Sequence, residues 1–343
     1  MINWKLILQR VTLWGTICAI SICIAWPWLP GTQGVPPRTI VVYGFSILGE
    51  TMNEAIFPEF QAQWKARTGE RVEFISSFAG SGTITNQIIL GVPAEVAILS
   101  LELDALRLVE EKVLSGPTWH DLPDDGVLNR TPFIILVRPG NPKNISDFAD
   151  LTRPGVGVVH PDPLTSGGAQ WAILAEYGSA LRTSGDEHLA YEQLLGIWQN
   201  VVTQAASARA ARTQFENGYG DALITYEQEA LRDQILGRLK AEIVNPYSTI
   251  LSEHTVVVIE KNIKPQQLDL INAFVEYLWS ETAQRIFAEY GFRSMDEQIN
   301  VANPNFGVIS APFTVDYLGG WPQAKREIIE SIWKQDVLQE ISP

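Results

Sequence analysis

The sequence predicts an α/β fold built on a mainly parallel sheet with helices on both faces. Three observations carry that prediction. Short apolar runs alternate with helical periodicities through the first hundred residues after position 36, in the order β-α-β-α-β-α. Three strand candidates run into small, polar, glycine-bearing helix starts: Phe45-Ser46, Ala79-Gly80-Ser81-Gly82, and His160-Pro161 through Ser166-Gly167-Gly168. The 343 residues, 46% apolar and 19% charged, describe a globular chain long enough for two domains.

Taken in order, residues 1–36 stand apart. Lys5 and Arg10 precede an apolar stretch, Val11 to Leu29, close to the roughly 20 residues that span a bilayer. This is the layout of a signal peptide or an N-terminal transmembrane anchor, followed by a linker. The basic flank on the N-terminal side puts the bulk of the chain outside the cytoplasm. No clean small-x-small cleavage site follows; Thr32-Gln33-Gly34 is the best candidate. Cys18 and Cys23 both lie here and read as apolar filler, because Ile17 and Ile22 stand where a lipoprotein signal needs a small residue. The rest of the chain has no cysteine, hence no disulfide, thiolate nucleophile or cysteine-ligated zinc.

Thr39 to Phe45 reads as a buried strand and roughly Glu50 to Arg67 as a helix, with Met52, Ile56, Phe57, Phe60 and Trp64 on one face and Gly69 ending it. Val72 to Ser77 is the next strand, a helix runs through Leu90, Glu95 to Ser100 is a third strand, and Leu103 to Lys112 a third helix. Phe133 to Val137 is a strand that ends in Arg138-Pro139-Gly140-Asn141-Pro142, punctuation suited to a crossover between domains. Ile145 to Leu151 and Gly155 to His160 open a second αβ unit. Helices follow over Ser166–Arg182, His188–Gln199, Ser207–Asn217 and Glu227–Ile235, interleaved with strands at Val201–Gln204, Gly220–Tyr226 and Ala241–Val244. Asn245-Pro246-Tyr247-Ser248 reads as the return crossover. Thr255 to Ile259 is a strand, Pro265–Trp279 and Ser280–Tyr290 are helices, Phe313 to Val315 is a short strand, and Gln323 to Ile341 is a terminal helix.

Several chemistries are excluded or weakened. A net charge of −14, from 25 basic and 39 acidic residues, argues against nucleic-acid binding but leaves a small anion open, since oriented backbone dipoles can hold one on an acidic molecule. His120, His160, His188 and His254 show no metal-ligand spacing and read as structural or exposed. There is no Gly-x-Ser-x-Gly elbow, and Ala79-Gly80-Ser81-Gly82-Thr83 lacks the lysine of a P-loop. Asp124-Asp125 reads as a solvated loop, and most of the 11 tryptophans as core.

The functional reading turns on Pro161 to Trp171. The first turn of a helix has N–H groups without internal partners, the helix dipole adds positive charge there, and glycines let an anion approach. Ser166-Gly167-Gly168 is then an anion cradle; on these residues alone it is equally an ordinary helix cap. Arg209 reads as a partner of the anion, a brace behind the loop, or a surface arginine, and Tyr226 as a hydroxyl donor at a strand end or as core edge.

Taken together, Thr165-Ser166-Gly167-Gly168-Ala169-Gln170-Trp171, Ala79-Gly80-Ser81-Gly82, Ser207-Ala208-Arg209 and the run Phe215 to Ala230 resemble the periplasmic sulfate-binding proteins of sulfate/thiosulfate ABC importers. So do Leu136 to Lys143 and Phe313-Thr314-Val315-Asp316 with Gly319-Gly320-Trp321, and the likeness runs in order from about Thr39 to near the C-terminus. The resemblance implies a two-lobed, type II periplasmic binding fold with the ligand in the cleft: lobe 1 over 37–137 and 249–343, lobe 2 over 138–248, hinged near Val137–Gly140 and Pro246–Leu251. It implies a sulfate dianion held by uncharged donors: the Ser81 hydroxyl, the N–H groups of Ser166, Gly167 and Gly168 with the Ser166 hydroxyl, and the Ala208 N–H. Arg209 would brace them from behind. Ser46 stands where the family usually has Asp, whose N–H is used, and Tyr226 where it has a Trp that donates its indole N–H. Asp162 replaces a common Asn and is expected to face solvent.

The resemblance also implies the role: a monomeric, periplasmic component of an ABC importer, tethered to the inner membrane if its leader is uncleaved, delivering sulfate to a permease and its ATPase. It implies neither enzymatic activity nor a cofactor or metal. Thiosulfate, molybdate or phosphate are alternative ligands, and a membrane-tethered oxyanion sensor is an alternative role.

Overall fold

The computed structural model describes residues 36–341 together with Trp14, Thr16 and Ser21. The leader or anchor expected over 1–36 therefore falls, but for Trp14, Thr16 and Pro36 and Ser21, outside the described residues. Among those described, no helix is long and apolar enough to cross a membrane.

The chain divides into two compact units, one of residues 1–39 and 61–73, the other of 40–60 and 74–343. In the first, Trp64 is flanked by the guanidinium groups of Arg67, 4.8 Å from its ring centre, and Arg38, 5.7 Å away, and Arg38 also pairs with Glu70 at 3.2 Å. The second, larger unit carries every candidate site residue.

Ten strands are present among the described residues: β1 Arg38–Phe45, β2 Val72–Ala79, β3 Val96–Leu99, β4 Val127–Val137, β5 Val158–Pro161, β6 Val201–Ala205, β7 Ala222–Tyr226, β8 Glu242–Val244, β9 Ser248–Val258 and β10 Ala311–Phe313. The main order is β2-β1-β3-β9-β4-β7-β5-β6, with β10 beside β9 and β8 beside β4. The α/β class holds, but the sheet is mixed. β1–β3, β5–β6 and β5–β7 are parallel, whereas β9 runs antiparallel to β3 and β4, and β4 antiparallel to β7 and β8.

The cause is the pair of eleven-residue strands β4 and β9. Residues 127–132 of β4 pair with β9, and residues 133–137 with β7 and β8. Only the second half of β4 and the end of β9 read as strands in the sequence, because the missing halves are polar. Asn129, Thr131, Ser248, Thr249, Ser252 and His254 are all buried there. Their polar groups are matched across the pair: Ser252 Oγ donates to the Thr131 carbonyl at 2.7 Å, Thr249 Oγ1 to the Phe133 carbonyl at 2.9 Å, and His254 Nδ1 lies 2.6 Å from Asn129 Oδ1. Burial holds the His254 imidazole neutral, with its pKa pushed down to about 3.

The principal helices are α1 Phe57–Thr68, α2 Ser81–Ile89, α3 Glu102–Glu110, α4 Gly167–Ser184, α5 Glu187–Gln199, α6 Ala208–Glu216, α7 Glu227–Ile235, α8 Leu268–Leu278 and α9 Glu281–Glu289. The α2 and α3 helices bury Ile84, Ile88, Ala105 and Leu108 against Ala97, Leu99 and Val257 of the sheet. Likewise, α6 buries Ala211 and Phe215 against Ile134, Leu136, Val159 and Leu223. These apolar faces anchor the helices and fix where each begins. A short helix at Glu297–Ala302 was not foreseen, since its six residues span less than two turns.

Candidate anion-binding site

Three helices begin at strand ends and meet there. After β2, Gly80 leads into α2; after β5, the turn Asp162–Ser166 leads into α4; after β6, Ala206 and Ser207 lead into α6. A side chain on Gly80 would have its Cβ 2.6 Å from the carbonyl oxygen of Ala206 and nearer still to that of Thr165. Glycine stands there because two other loops press on its backbone; its φ of −55° is open to any residue. Gly167 and Gly168 obey the same rule. A Cβ on Gly167 would lie 2.8 Å from Ser100 Oγ, and one on Gly168 2.8 Å from the ring of Tyr226.

Hydroxyls line the β3 side of this meeting point. Ser81, first residue of α2, accepts the Ser100 N–H at 3.0 Å and donates its hydroxyl hydrogen to the Asp104 carboxylate. Ser100 Oγ lies 2.8 Å from Tyr226 Oη, and the Ser100 carbonyl accepts the indole N–H of Trp171 from α4 at 2.6 Å. Ser81, Ser100, Asp104, Trp171 and Tyr226 are all buried. Burial raises the Tyr226 phenol above its ordinary value, so it stays protonated and able to donate. Its ring is held by Phe133, with centroids 4.5 Å apart. Burial also pushes the Asp104 carboxyl up to about 6, against the opposing hydrogen bond from Ser81.

Backbone donors line the other side. Gly167 and Gly168 are the first two residues of α4, where N–H groups have no intrahelical acceptor. The third N–H expected to join them is engaged: Ser166 N–H donates to the Asp162 carbonyl at 2.8 Å, closing the turn. Ser166 caps nothing with its hydroxyl, although it is buried at the N-cap position. Asp162, expected to face solvent, is half-buried, and its carboxylate accepts the Leu164 N–H at 2.9 Å, so it shapes the turn. At α6, Ser207 caps the helix by accepting the Ala210 N–H, which leaves Ala208 as the first helical residue. Ser46 opens the turn Ser46–Leu48, which packs against α6; no hydrogen bond joins it to the Ser81–Ser100–Tyr226 set among the described residues.

Arg209 lies behind α6's first turn. Its Nη2 is 2.9 Å from Glu229 Oε1 and its Nη1 3.7 Å from Glu50 Oε2. The Glu229 side chain is fully buried, and neither carboxylate oxygen makes an aligned hydrogen bond, so the contact is one of charge with charge. Burial raises the Glu229 pKa and the charges of Arg209 and Arg212 oppose the rise. Among the described residues, no cluster of three or more His, Cys, Asp or Glu side chains is placed to hold a metal ion.

Sequence reasoning missed Ser100, Asp104 and Glu229. The strand Glu95–Ser100 was read, and ligands in such sheets gather at strand carboxyl ends. Leu101-Glu102-Leu103-Asp104 carries no glycine, however, and a leucine-rich helix start does not advertise a polar corner.

The family described as bacterial extracellular solute-binding protein matches residues 47–293. A sulfate-binding protein of Synechococcus elongatus is 34% identical over 320 residues, covering 91% of this chain and 89% of its own. One from Escherichia coli is 36% identical over 273 residues, 78% of this chain and 83% of its own. Among solved structures, the sulfate-binding protein SubI of Mycobacterium tuberculosis superposes with a TM-score of 0.77 at 29% identity, covering 84% of this chain and 99% of that one.

Proposed function

The chain belongs to the bacterial extracellular solute-binding protein family, and on that footing we propose that it is the extracytoplasmic binding component of an ABC importer, taking up sulfate and delivering it to a membrane permease. The observation that carries this reading is the meeting of three helix starts, at Ser81, Gly167 and Ala208, around Gly80. Each contributes the positive end of a helix dipole and unpaired N–H groups, which together suit a dianion better than any neutral ligand.

In this reading the N–H groups of Gly167, Gly168, Ala208 and Ser46 and the hydroxyls of Ser166 and Tyr226 donate to the sulfate oxygens, while the expected Ser81 hydroxyl, whose hydrogen goes to Asp104, orders the corner beside them. Arg209 holds the start of α6 from behind, through Glu229 and Glu50. Lobe 1 is formed by 37–137 and 249–343 and lobe 2 by 138–248, the chain leaving lobe 1 at the end of β4 and returning to it at the start of β9. The lobes close on the anion by hinging near Val137–Gly140 and Pro246–Leu251, and the closed form docks on the permease and its ATPase. The chain acts as a monomer in the periplasm, with residues 1–36 as leader or tether. It makes and breaks no bond.

Calorimetric titration with sulfate, thiosulfate, molybdate and phosphate tests the reading. One sulfate per chain, with phosphate a poor competitor, is expected. Equal displacement of sulfate by phosphate at neutral pH would overturn it, because a protonated oxygen needs an acceptor that a donor-only site lacks.

A further inference from the structure

Ser100 follows β3 directly, and each of its polar atoms meets a different element. Its N–H donates to Ser81 Oγ of α2 at 3.0 Å, its carbonyl accepts the Trp171 indole N–H of α4 at 2.6 Å, and its Oγ lies 2.8 Å from Tyr226 Oη of β7. The two main-chain bonds fix the direction of its Cα–Cβ bond, so the hydroxyl is set in place before any ligand arrives. Ser100 and Tyr226 are each 1% exposed. A hydroxyl buried so deeply costs stability unless it is bonded, and an alanine at 100 would carry no such cost.

Two hydroxyls bring two hydrogens to this pair, and the bond between them uses one. Among the described residues neither oxygen has another hydrogen-bond partner, so the second hydrogen has no acceptor in the protein. That hydrogen lies at the start of α4. A Cβ on Gly167 would lie 2.8 Å from Ser100 Oγ, and one on Gly168 3.0 Å from Tyr226 Oη. The two oxygens thus sit side by side over the two residues whose N–H groups have no intrahelical acceptor. We propose that Ser100 and Tyr226 form one paired donor of the oxyanion site, in which one hydrogen holds the two oxygens together and the other goes to the anion. This rests on the oxyanion-binding reading above, and it brings into that site a residue, Ser100, that the sequence did not single out.

In the native pair the phenol gives its hydrogen to the anion. It is the stronger acid of the two, and a hydroxyl that accepts from a neighbour donates more strongly in turn. Its ring is held by Phe133, by Phe45 with centroids 6.2 Å apart, and by the His254 imidazole at 5.8 Å, so Oη cannot swing away. With the phenol oxygen removed, the Ser100 hydrogen loses its acceptor and turns to the anion instead. With the serine oxygen removed, the Tyr226 hydrogen is still free to donate. Each hydroxyl covers for the other, and only the loss of both strips the anion of this donor.

The test is a double-mutant cycle read by calorimetric titration with sodium sulfate at neutral pH, on the native protein, Ser100→Ala, Tyr226→Phe and the double variant. Each substitution deletes one oxygen and leaves the main-chain bonds of Ser100 and the packing of the ring in place; circular dichroism checks that each variant folds. Affinity is expected to fall about tenfold in either single variant and about a thousandfold in the double, beyond the roughly hundredfold product of two independent losses. A double variant that loses only that product would make the hydroxyls independent and overturn the pairing. One that loses no more than Tyr226→Phe alone would leave Ser100 a mere support for the phenol, and would overturn it too. Native affinity in all three variants would place the anion away from both hydroxyls, sinking this inference while the sulfate reading stands. Failure of the native protein to bind sulfate would overturn the sulfate reading itself, and this inference with it.

Discussion

At Gly167, Gly168 and Ala208 the candidate donors are backbone N–H groups at helix starts; across from them lies a corner of side-chain hydroxyls, with Tyr226 paired to Ser100 and Ser81 tied to the Asp104 carboxylate. The first set cannot titrate and cannot turn. Its geometry is fixed by α4 and α6, and its price is the exclusion of side chains at Gly167 and Gly168. The second set can rotate, and its hydrogens are shared out among neighbours before any ligand arrives. The backbone corner thus offers fixed donors to an anion, while the side-chain corner holds a buried carboxyl, Asp104, whose protonation changes with pH. Substitutions should separate the two.

The largest effect is expected at the backbone corner. Gly167→Asp brings bulk within 2.8 Å of Ser100 Oγ and a like charge among the donors. Sulfate affinity should fall about a thousandfold or more at every pH, read by calorimetry, with circular dichroism to check the fold. Wild-type affinity in this variant would break the placement of the cradle.

Next comes the stability signature of the side-chain corner. Burial pushes the Asp104 carboxyl up from an ordinary 3.8 to about 6 in the folded protein. The folded state therefore holds more protons between about pH 4 and 6, and its stability declines as pH rises through that window. Asp104→Asn removes this decline. The variant should gain on the native protein by on the order of 2–3 kcal/mol from pH 4 to 6, with no further gain above, as measured by urea unfolding without ligand. His254 works in the opposite sense: its folded pKa of about 3 lies below its ordinary 6.5, so it costs stability as pH falls below about 6.5.

A smaller effect is expected from Ala208→Pro. Ser207 is extended at φ −158° and ψ 164°, as a residue before proline must be, and the first helical position tolerates proline. The substitution deletes one N–H and little else. Affinity should drop about 10- to 100-fold, the worth of a hydrogen bond to a charged group, and by the same factor at pH 5.5 and pH 8. A pH-dependent loss would blur the line between the two corners. Smallest of all, Tyr226→Phe should cost about tenfold in affinity while leaving the ring packed on Phe133, so that the melting temperature moves little.

Much of this was legible in the sequence, and the boundary of what was legible has a physical cause. The strands Thr39–Phe45 and Val201–Gln204 and the helix Glu227–Ile235 announced themselves because apolar periodicity and turn residues coincide there. The first half of β4 and most of β9 did not, because their buried faces are polar and satisfied only by each other across the pair, a match that spans more than a hundred residues of sequence. At the site, the glycine-bearing helix starts were visible, since glycine is what close backbone approach demands. Asp104 was not, because a lone acid in a first helical turn is ordinary until Ser81, 23 residues earlier, is seen to hand it a hydrogen. The Ser166 N–H shows the converse: the motif was read, but the bond to Asp162 that removes its donor is a property of the folded turn.

The central claim is that the helix-start N–H groups themselves hold the anion, and amide NMR reads those groups individually. On addition of sodium sulfate to ¹⁵N-labelled protein at pH 6, the N–H resonances of Gly167, Gly168 and Ala208 should move downfield together and saturate at one equivalent, while that of Ser166, bonded to Asp162, moves less. Saturable sulfate binding that leaves those three resonances in place would contradict the account.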